Sequence, residues 1–149
     1  MNNIYKATSN NINDIFELER TCFSSPLSEH ELNLLLKSEF FEILVFESDG
    51  NFCGHCVAYT VLGETEITSF AISPLYRRKN YGFLFLTKVI DILKKRKVNI
   101  IFLEVRVSNV YALNLYKKIG FRIDRVRRGF YEKPQEDAYA MSMQMTMLT

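Results

Sequence analysis

Glu66-Ile67-Thr68-Ser69-Phe70-Ala71-Ile72-Ser73-Pro74, followed by Leu75-Tyr76-Arg77-Arg78-Lys79-Asn80-Tyr81-Gly82, is where a strand gives way to a helix. Proline cannot donate to a strand ladder, so Ser73-Pro74 ends the strand. Beyond the loop, Phe83, Leu86, Ile90 and Leu93 recur at helical spacing. Lys94-Lys95-Arg96-Lys97 then sits where cations suit a helix dipole, which predicts a helix from Tyr81 to Lys97.

The same change of period recurs on both sides. Upstream, Ile4–Ala7 reads as a strand, and Asn10 or Asn11 can cap a helix carrying Ile12, Ile15, Phe16, Leu18 and Cys22. Ser28 with Glu31 forms a capping-box pattern for a helix through Leu36. Ile43–Phe46 and Phe52–Leu62 flank Ser48-Asp49-Gly50-Asn51 as a hairpin, and Gly63-Glu64 turns the chain into the strand quoted above. Downstream, Ile100–Val107 is an apolar strand, Asn109 caps a helix that Gly120 stops, and Phe121–Val126 and Ala138–Met145 close the sheet. Met141, Met143, Met145 and Met147 alternate as core-facing strand residues would. Strands and helices interleaved in this way predict an α/β (α+β) fold with a mixed sheet flanked by helices.

The 149 residues suit one domain, 1–149, and a chain of that length buries enough surface to fold without disulfide or metal. No apolar run approaches the roughly 18 residues of a membrane span. MNNIYKATSNN has no basic-then-apolar leader, so the reading is a cytoplasmic protein without membrane contact. Residues 1–73 hold three Lys/Arg against eleven Asp/Glu, whereas residues 74–149 hold sixteen against six. An anionic partner suits the basic half and a cationic one the acidic half; two mutually attracting solvated faces explain the asymmetry equally well.

Four sets of residues carry candidate chemistry. Arg77-Arg78-Lys79-Asn80-Tyr81-Gly82 lies at a helix N-terminus, where free amides and three cations suit an anion. Glu104, within an apolar strand, is a candidate general base because partial burial raises a carboxyl pKa; the alternative is an ion pair with Arg106. Tyr116 has a structural reading, as partner of Phe121 in a Schellman stop at Gly120, and a chemical one, as a protonated general acid. In the same helical stretch as Tyr116, Asn109 is a helix cap first and a ligand contact second. The fourth set, Cys53-Gly54-His55-Cys56, has dithiol spacing but reads as strand, with its thiols on opposite faces and no second ligand pair for zinc. Three cysteines are also too few for a disulfide framework.

Taken in order, Phe70-Ala71-Ile72-Ser73-Pro74, Arg77–Gly82, Leu103-Glu104-Val105-Arg106-Val107-Ser108-Asn109, Ala112–Tyr116 and Gly120-Phe121 resemble the GNAT acetyltransferases. With Arg127-Arg128-Gly129-Phe130-Tyr131 and Glu136-Asp137-Ala138, the string is similar to that of the RimI-type ribosomal-protein alanine N-acetyltransferases.

The resemblance implies a GNAT fold, a mostly antiparallel sheet of six to seven strands with about four helices. It also implies transfer of acetyl from acetyl-CoA, as co-substrate and without metal, to an α-amino group. The acceptor would be the N-terminal alanine of a small-subunit ribosomal protein. Phe70, Ala71 and Ile72 would offer backbone groups to the pantetheine arm, and Arg78, Lys79, Asn80, Tyr81, Gly82 and Phe83 would wrap the pyrophosphate. Asn109 would hydrogen-bond the cofactor, Glu104 would be the base and Tyr116 the acid. The family loop usually has glycine where this chain has Asn80, which tolerates left-handed backbone but brings a side chain towards the phosphates. The implied partner is a protein or peptide N-terminus, ribosomal in origin by the same resemblance, met by a monomer or weak dimer without direct nucleic-acid binding. A GNAT enzyme for free small amines (a polyamine or an antibiotic) and a non-catalytic CoA-binding module are the competing readings.

Overall fold

A helix or strand keeps its place when its apolar face is covered, and here one sheet covers the apolar faces of all four α-helices. The computed structural model describes residues 1–145. Within them the strands are β1 (Asn2–Lys6), β2 (Phe41–Ser48), β3 (Asn51–Val61), β4 (Glu64–Ile72), β5 (Ile100–Arg106), β6 (Arg122–Tyr131) and β7 (Glu136–Gln144). The helices are α1 (Ile12–Cys22), α2 (Glu29–Leu36), α3 (Tyr81–Lys95) and α4 (Val110–Ile119). The strands form one sheet in the order β1-β2-β3-β4-β5-β7-β6, antiparallel throughout except for the β4–β5 pair. The expected mixed, mostly antiparallel sheet with four helices is therefore what forms.

Local signals worked at most sites, with one correction. Asn11 precedes α1 but makes no side-chain cap bond, because its Oδ1 accepts from Thr8 N–H at 2.9 Å in a capping box one turn earlier. Ser28 and Glu31 make both bonds of the capping box. Asp49-Gly50 and Leu62-Gly63 take left-handed backbone, with φ of 52° and 80° in each pair, as two-residue hairpin turns require. Gly120 stops α4 as a Schellman motif: Phe121 N–H donates to Tyr116 O at 2.9 Å and Gly120 N–H to Lys117 O at 3.2 Å. The Tyr116 and Phe121 rings meet edge-on, 5.8 Å apart.

Helix α3 shows which force dominates. Phe85, Leu86, Val89, Ile90 and Leu93 are buried against the sheet, each contributing about 1.5–3 kcal/mol. Lys94 and Lys95 at the C-terminus add about 0.3–1 kcal/mol apiece through the dipole, so packing sets the helix. The buried stripe includes Phe85 and Val89; Phe83, expected in it, lies half-buried on the flank with Lys118 Nζ 4.8 Å from its ring. Helices α3 and α4 cover one sheet face together with Leu44, Phe46, Leu103 and Met141; α1 and α2 cover the other with Ile43, Val45 and Val57. Met145 is buried and Met143 packs on the same cluster, as the alternation predicted, while Met147 lies outside the described residues.

Two β-bulges correct the sequence reading. The β2–β3 register shifts between Phe46 and Glu47, which face Gly54 and Phe52, so Cys53 is the extra residue. That insertion reverses the alternation, and Cys53 and Cys56 both join the cluster under α3 and α4 instead of facing opposite sides. Both thiols are free and fully buried, with the Cys56 thiol pushed up to about 12 by burial. The second bulge puts Thr68 between Ser69, which faces Val57, and Ile67, which faces Ala58.

Gly54 leaves no room for a side chain between β3 and β4. A Cβ there would lie 2.5 Å from the Ala71 carbonyl oxygen, a backbone atom that cannot step aside. Gly54→Ala should therefore lower stability by about 1–3 kcal/mol, read as a fall in urea midpoint at unchanged m-value.

Candidate active site

Strands β4 and β5 pair over only three residues, Glu64–Glu66 against Ile100–Phe102. The bulge at Thr68 bends β4 away, and the two strands separate. The opening between Ile67–Ile72 and Leu103–Arg106 is a cleft of about 1040 Å³. Gly82, Ala112, Leu115 and Tyr116 line it from the side of α3 and α4. Glu19, Phe23, Ser24 and Leu27 line it from the side of α1 and α2, so the gap passes through the sheet.

The α3 end of the cleft has the backbone of an anion site. Asn80 is left-handed (φ 62°) and caps α3 without a side-chain bond. The first bond runs from Leu84 N–H to Asn80 O at 3.1 Å, leaving the amides of Tyr81, Gly82 and Phe83 without intrahelical acceptors. Arg78 is also left-handed (φ 67°), a conformation that costs an L-residue about 1–2 kcal/mol. Arg78 and Lys79 are exposed, Lys79 resting over Tyr76, whereas Arg77 is engaged with Ile72 O and Cys22 Sγ.

Three of these residues also have structural work. The Tyr81 hydroxyl meets Ser48 Oγ at 3.0 Å and its ring packs on Phe46. Phe70 packs on Phe85, which leaves its backbone rather than its ring to face the gap. A Cβ on Gly82 would lie 3.2 Å from Leu115 Cδ2, so this glycine serves α3–α4 packing as well as any close backbone approach. Asn109 spends Oδ1 on the Ala112 amide at 3.1 Å as the helix cap.

Glu104 and Tyr116 line the same cleft. Glu104 does not pair with Arg106, the alternative considered above; its Oε2 lies 3.4 Å from Arg127 Nη1, brought there by the β5-β7-β6 register. Arg106 instead bonds Glu136, the carbonyls of Glu132 and Pro134, and Ser24 Oγ, with its guanidinium 4.5 Å from the Tyr131 ring. Burial, and then the negative charge of Glu104, raise the Tyr131 hydroxyl to about 12. Burial followed by Glu104 likewise raises the Glu66 carboxyl. Tyr116 is buried, and burial pushes its hydroxyl well above the ordinary phenol value, so it stays protonated at neutral pH. Among the described residues no other group hydrogen-bonds that hydroxyl.

With this geometry in view, the relationships of the chain are direct. The sequence model of the acetyltransferase (GNAT) family matches residues 12–121. The chain belongs to the GNAT acetyltransferase family. It is thus an acetyl-CoA-dependent N-acetyltransferase of GNAT type. A putative ribosomal protein bS18-alanine N-acetyltransferase of Bacillus subtilis is 34% identical over 131 residues, 87% of each chain. The ribosomal protein bS18-alanine N-acetyltransferase of Escherichia coli K12 is 28% identical over 149 residues, covering 99% of this chain and 100% of that protein. The crystal structure of the ribosomal-protein-S18-alanine N-acetyltransferase from E. coli superposes with a TM-score of 0.91, covering 100% of this chain and 97% of that one.

Sequence reasoning named Arg127 and Tyr131 only within the family-like string, without a role, and missed a buried polar group beneath the cleft. Glu19 Oε2 accepts from His55 Nε2 at 2.7 Å and from Ser69 Oγ at 2.5 Å, and its Oε1 accepts from the Leu27 amide at 3.0 Å. Position 55 stood inside the apparent dithiol motif, and nothing near it in sequence marked Glu19 as its partner.

Burial alone would raise the Glu19 carboxyl, but the hydrogen bonds from His55, Leu27 and Ser69 outweigh it and hold the group below its ordinary 4.5. A carboxyl depressed by folding stabilises the protein fully above its unfolded value and loses that contribution as pH falls through the folded one. Thermal scans should show the wild type losing stability below about pH 4.5 more steeply than Glu19→Gln, which has no such group to titrate.

Proposed function

We propose that this protein acetylates the α-amino group of a protein N-terminus, with Glu104 as base and Tyr116 as acid, its substrate being the N-terminal alanine of a small-subunit ribosomal protein. One observation carries the reading. The parted strands open a passage through the sheet with a helix N-terminus of free amides on one face and a carboxylate and a protonated phenol within the same cleft. The names of the bacterial relatives support alanine and a ribosomal protein as the finer choice, and a cytoplasmic location follows from such a substrate. The single continuous sheet supports taking residues 1–149 as one acetyltransferase domain.

On this reading the amides of Tyr81, Gly82 and Phe83, with Arg78, Lys79 and Asn80, hold the pyrophosphate at the positive end of α3. The edge of β4 freed by the parting, at Phe70, Ala71 and Ile72, aligns the pantetheine arm through backbone hydrogen bonds, and Asn109 contributes its amide nitrogen. The acetyl thioester then lies in the gap near Glu104 and Tyr116.

An α-ammonium has a pKa of about 7.7–8.0, so little driving force is needed to deprotonate it near neutrality. Glu104, directly or through a water, takes that proton, and the freed amine attacks the thioester carbonyl. As the C–S bond breaks, Tyr116 gives its proton to the departing sulfur, the attacking nitrogen releases its second proton to solvent water, and Tyr116 recovers a proton from solvent. Arg127 Nη1, 3.4 Å from Glu104 Oε2, holds that carboxylate in place within the cleft. Each proton transfer contributes about 10²–10⁴-fold, and alignment of thioester and amine supplies much of the rest.

Acetyl-CoA should raise the Tm, since a ligand bound only by the native state stabilises by mass action. Arg78→Glu with Lys79→Glu should abolish most of that shift at unchanged intrinsic Tm. The double mutant is a cleaner probe than Gly82→Val, whose side chain would collide with Leu115.

Glu104→Gln and Tyr116→Phe should each keep that acetyl-CoA shift while lowering turnover by about 10²-fold or more. Thiol release would be followed with alanine-initiated peptides, other N-terminal peptides and polyamines. Preferred turnover of a polyamine would replace the N-terminal reading with the small-amine one. Full activity in Tyr116→Phe would leave Tyr116 as a helix-stop residue only.

A further inference from the structure

The site as described leaves one polar group unused. Glu19, His55 and Ser69 come from α1, β3 and β4, and Glu19 and His55 are almost wholly inaccessible, with relative exposures of 2% and 0%. Burying a carboxylate is costly unless hydrogen bonds compensate it. Here they do, and one of them leaves the cluster: Glu19 Oε1 accepts the Leu27 amide, which belongs to the segment joining α1 to α2. That segment, residues 23–28, lines the cleft through Phe23, Ser24, Ser25 and Leu27.

The same segment is held at a second point. Ser24 Oγ donates to Glu132 O at 3.2 Å and accepts from Arg106 Nη2 at 3.0 Å. Ser24 is thereby tied to the turn after β6, and Leu27 to the middle of the sheet. His55 Nδ1 is buried without a partner, so the ring hydrogen belongs on Nε2, where it donates to Glu19. The imidazole is thus committed to one carboxylate oxygen, and Ser69 donates to that same oxygen.

The faces of the sheet decide which substrate this affects. The anion-ready N-terminus of α3 lies on the α3–α4 side, whereas Glu19 and the α1–α2 segment lie on the opposite side of the gap.

We infer that the Glu19–His55–Ser69 cluster is a positioning device that fixes the α1–α2 segment as a wall for the amine acceptor, and so sets affinity for acceptor rather than for acetyl-CoA. This inference rests on the acetyl-transfer reading above. The three residues act through Leu27, whose amide Glu19 holds. Without the cluster the segment keeps its Ser24 tie and loses the one nearest the centre of the sheet, so its wall of the cleft loosens.

Glu19→Leu removes every acceptor oxygen at similar volume. The expected result is a KM for acceptor amine raised about ten-fold, with KM for acetyl-CoA and the acetyl-CoA-induced Tm shift unchanged within about two-fold. Glu19→Gln keeps a carbonyl for the Leu27 amide, and its NH₂ can donate to His55 once the ring hydrogen moves to Nδ1. It should restore acceptor KM to within about three-fold of wild type.

A purely structural role would lower Tm and the active fraction while leaving both KM values alone. That result, or an equal rise in both KM values, overturns the inference. Should Glu19→Leu fail to fold, amide exchange in the wild type decides. The Leu27 N–H should exchange about 10²-fold or more below its intrinsic rate, and exchange at the intrinsic rate overturns the tether. If the wild type releases thiol with none of the amines offered, the acetyl-transfer reading falls, and Leu27 exchange still tests the tether on its own.

Discussion

The architecture depends on the parting of β4 from β5 after Glu66 and Phe102. Strands in a sheet normally satisfy each other's backbone groups along their length, and giving that up needs a cause and a compensation. The cause is local: Thr68 is an extra residue against β3, and a bulge bends the strand that carries it. The compensation on the β3 side is tight pairing, with Gly54 and His55 opposite Ile72 and Ala71 and no room for a side chain at Gly54. The freed edge of β4 then faces a cleft instead of a neighbour, which is what an enzyme that aligns an extended cofactor arm requires.

Helix placement follows from that opening. With α3 and α4 on one face and α1 and α2 on the other, a gap in the sheet is reached from both sides, so two substrates can meet in it without sharing an entrance. The Schellman stop at Gly120 matters here because it seats Tyr116 against Phe121 at the cleft. The same burial that makes Tyr116 a packing residue raises its pKa and keeps its proton in place. Packing and the proposed proton donation therefore draw on one side chain.

Charge at the site is arranged by strand register more than by sequence proximity. Glu104 and Arg106 share a strand and a face, yet Arg106 turns to the β6–β7 turn and Glu104 takes Arg127 from two strands away. The acidic and basic halves of the chain do not separate into two clean surfaces at the cleft. Glu19, Glu104 and Glu136 line it together with Arg77, Arg78 and Arg106.

What the amino-acid sequence determined by itself was most of what has its partners within a few residues, the Thr8–Asn11 box before α1 excepted. The capping box at Ser28, the turns at Gly50 and Gly63, the Asn109 cap and the Gly120 stop are bonds spanning two to five positions, and each formed as its residue types required. The order of strands and helices, with the loop at Arg77–Gly82 before a helix, was legible for the same reason. Tertiary structure alone decided three further matters: which thiols face which side, which arginine answers Glu104, and that a buried histidine serves a carboxylate 36 positions away. A single inserted residue in a strand reverses every side chain beyond it, and sequence periodicity cannot show where that insertion falls. Pairings between distant strands exist only once register is set by the packing of the whole sheet, and no local propensity encodes them.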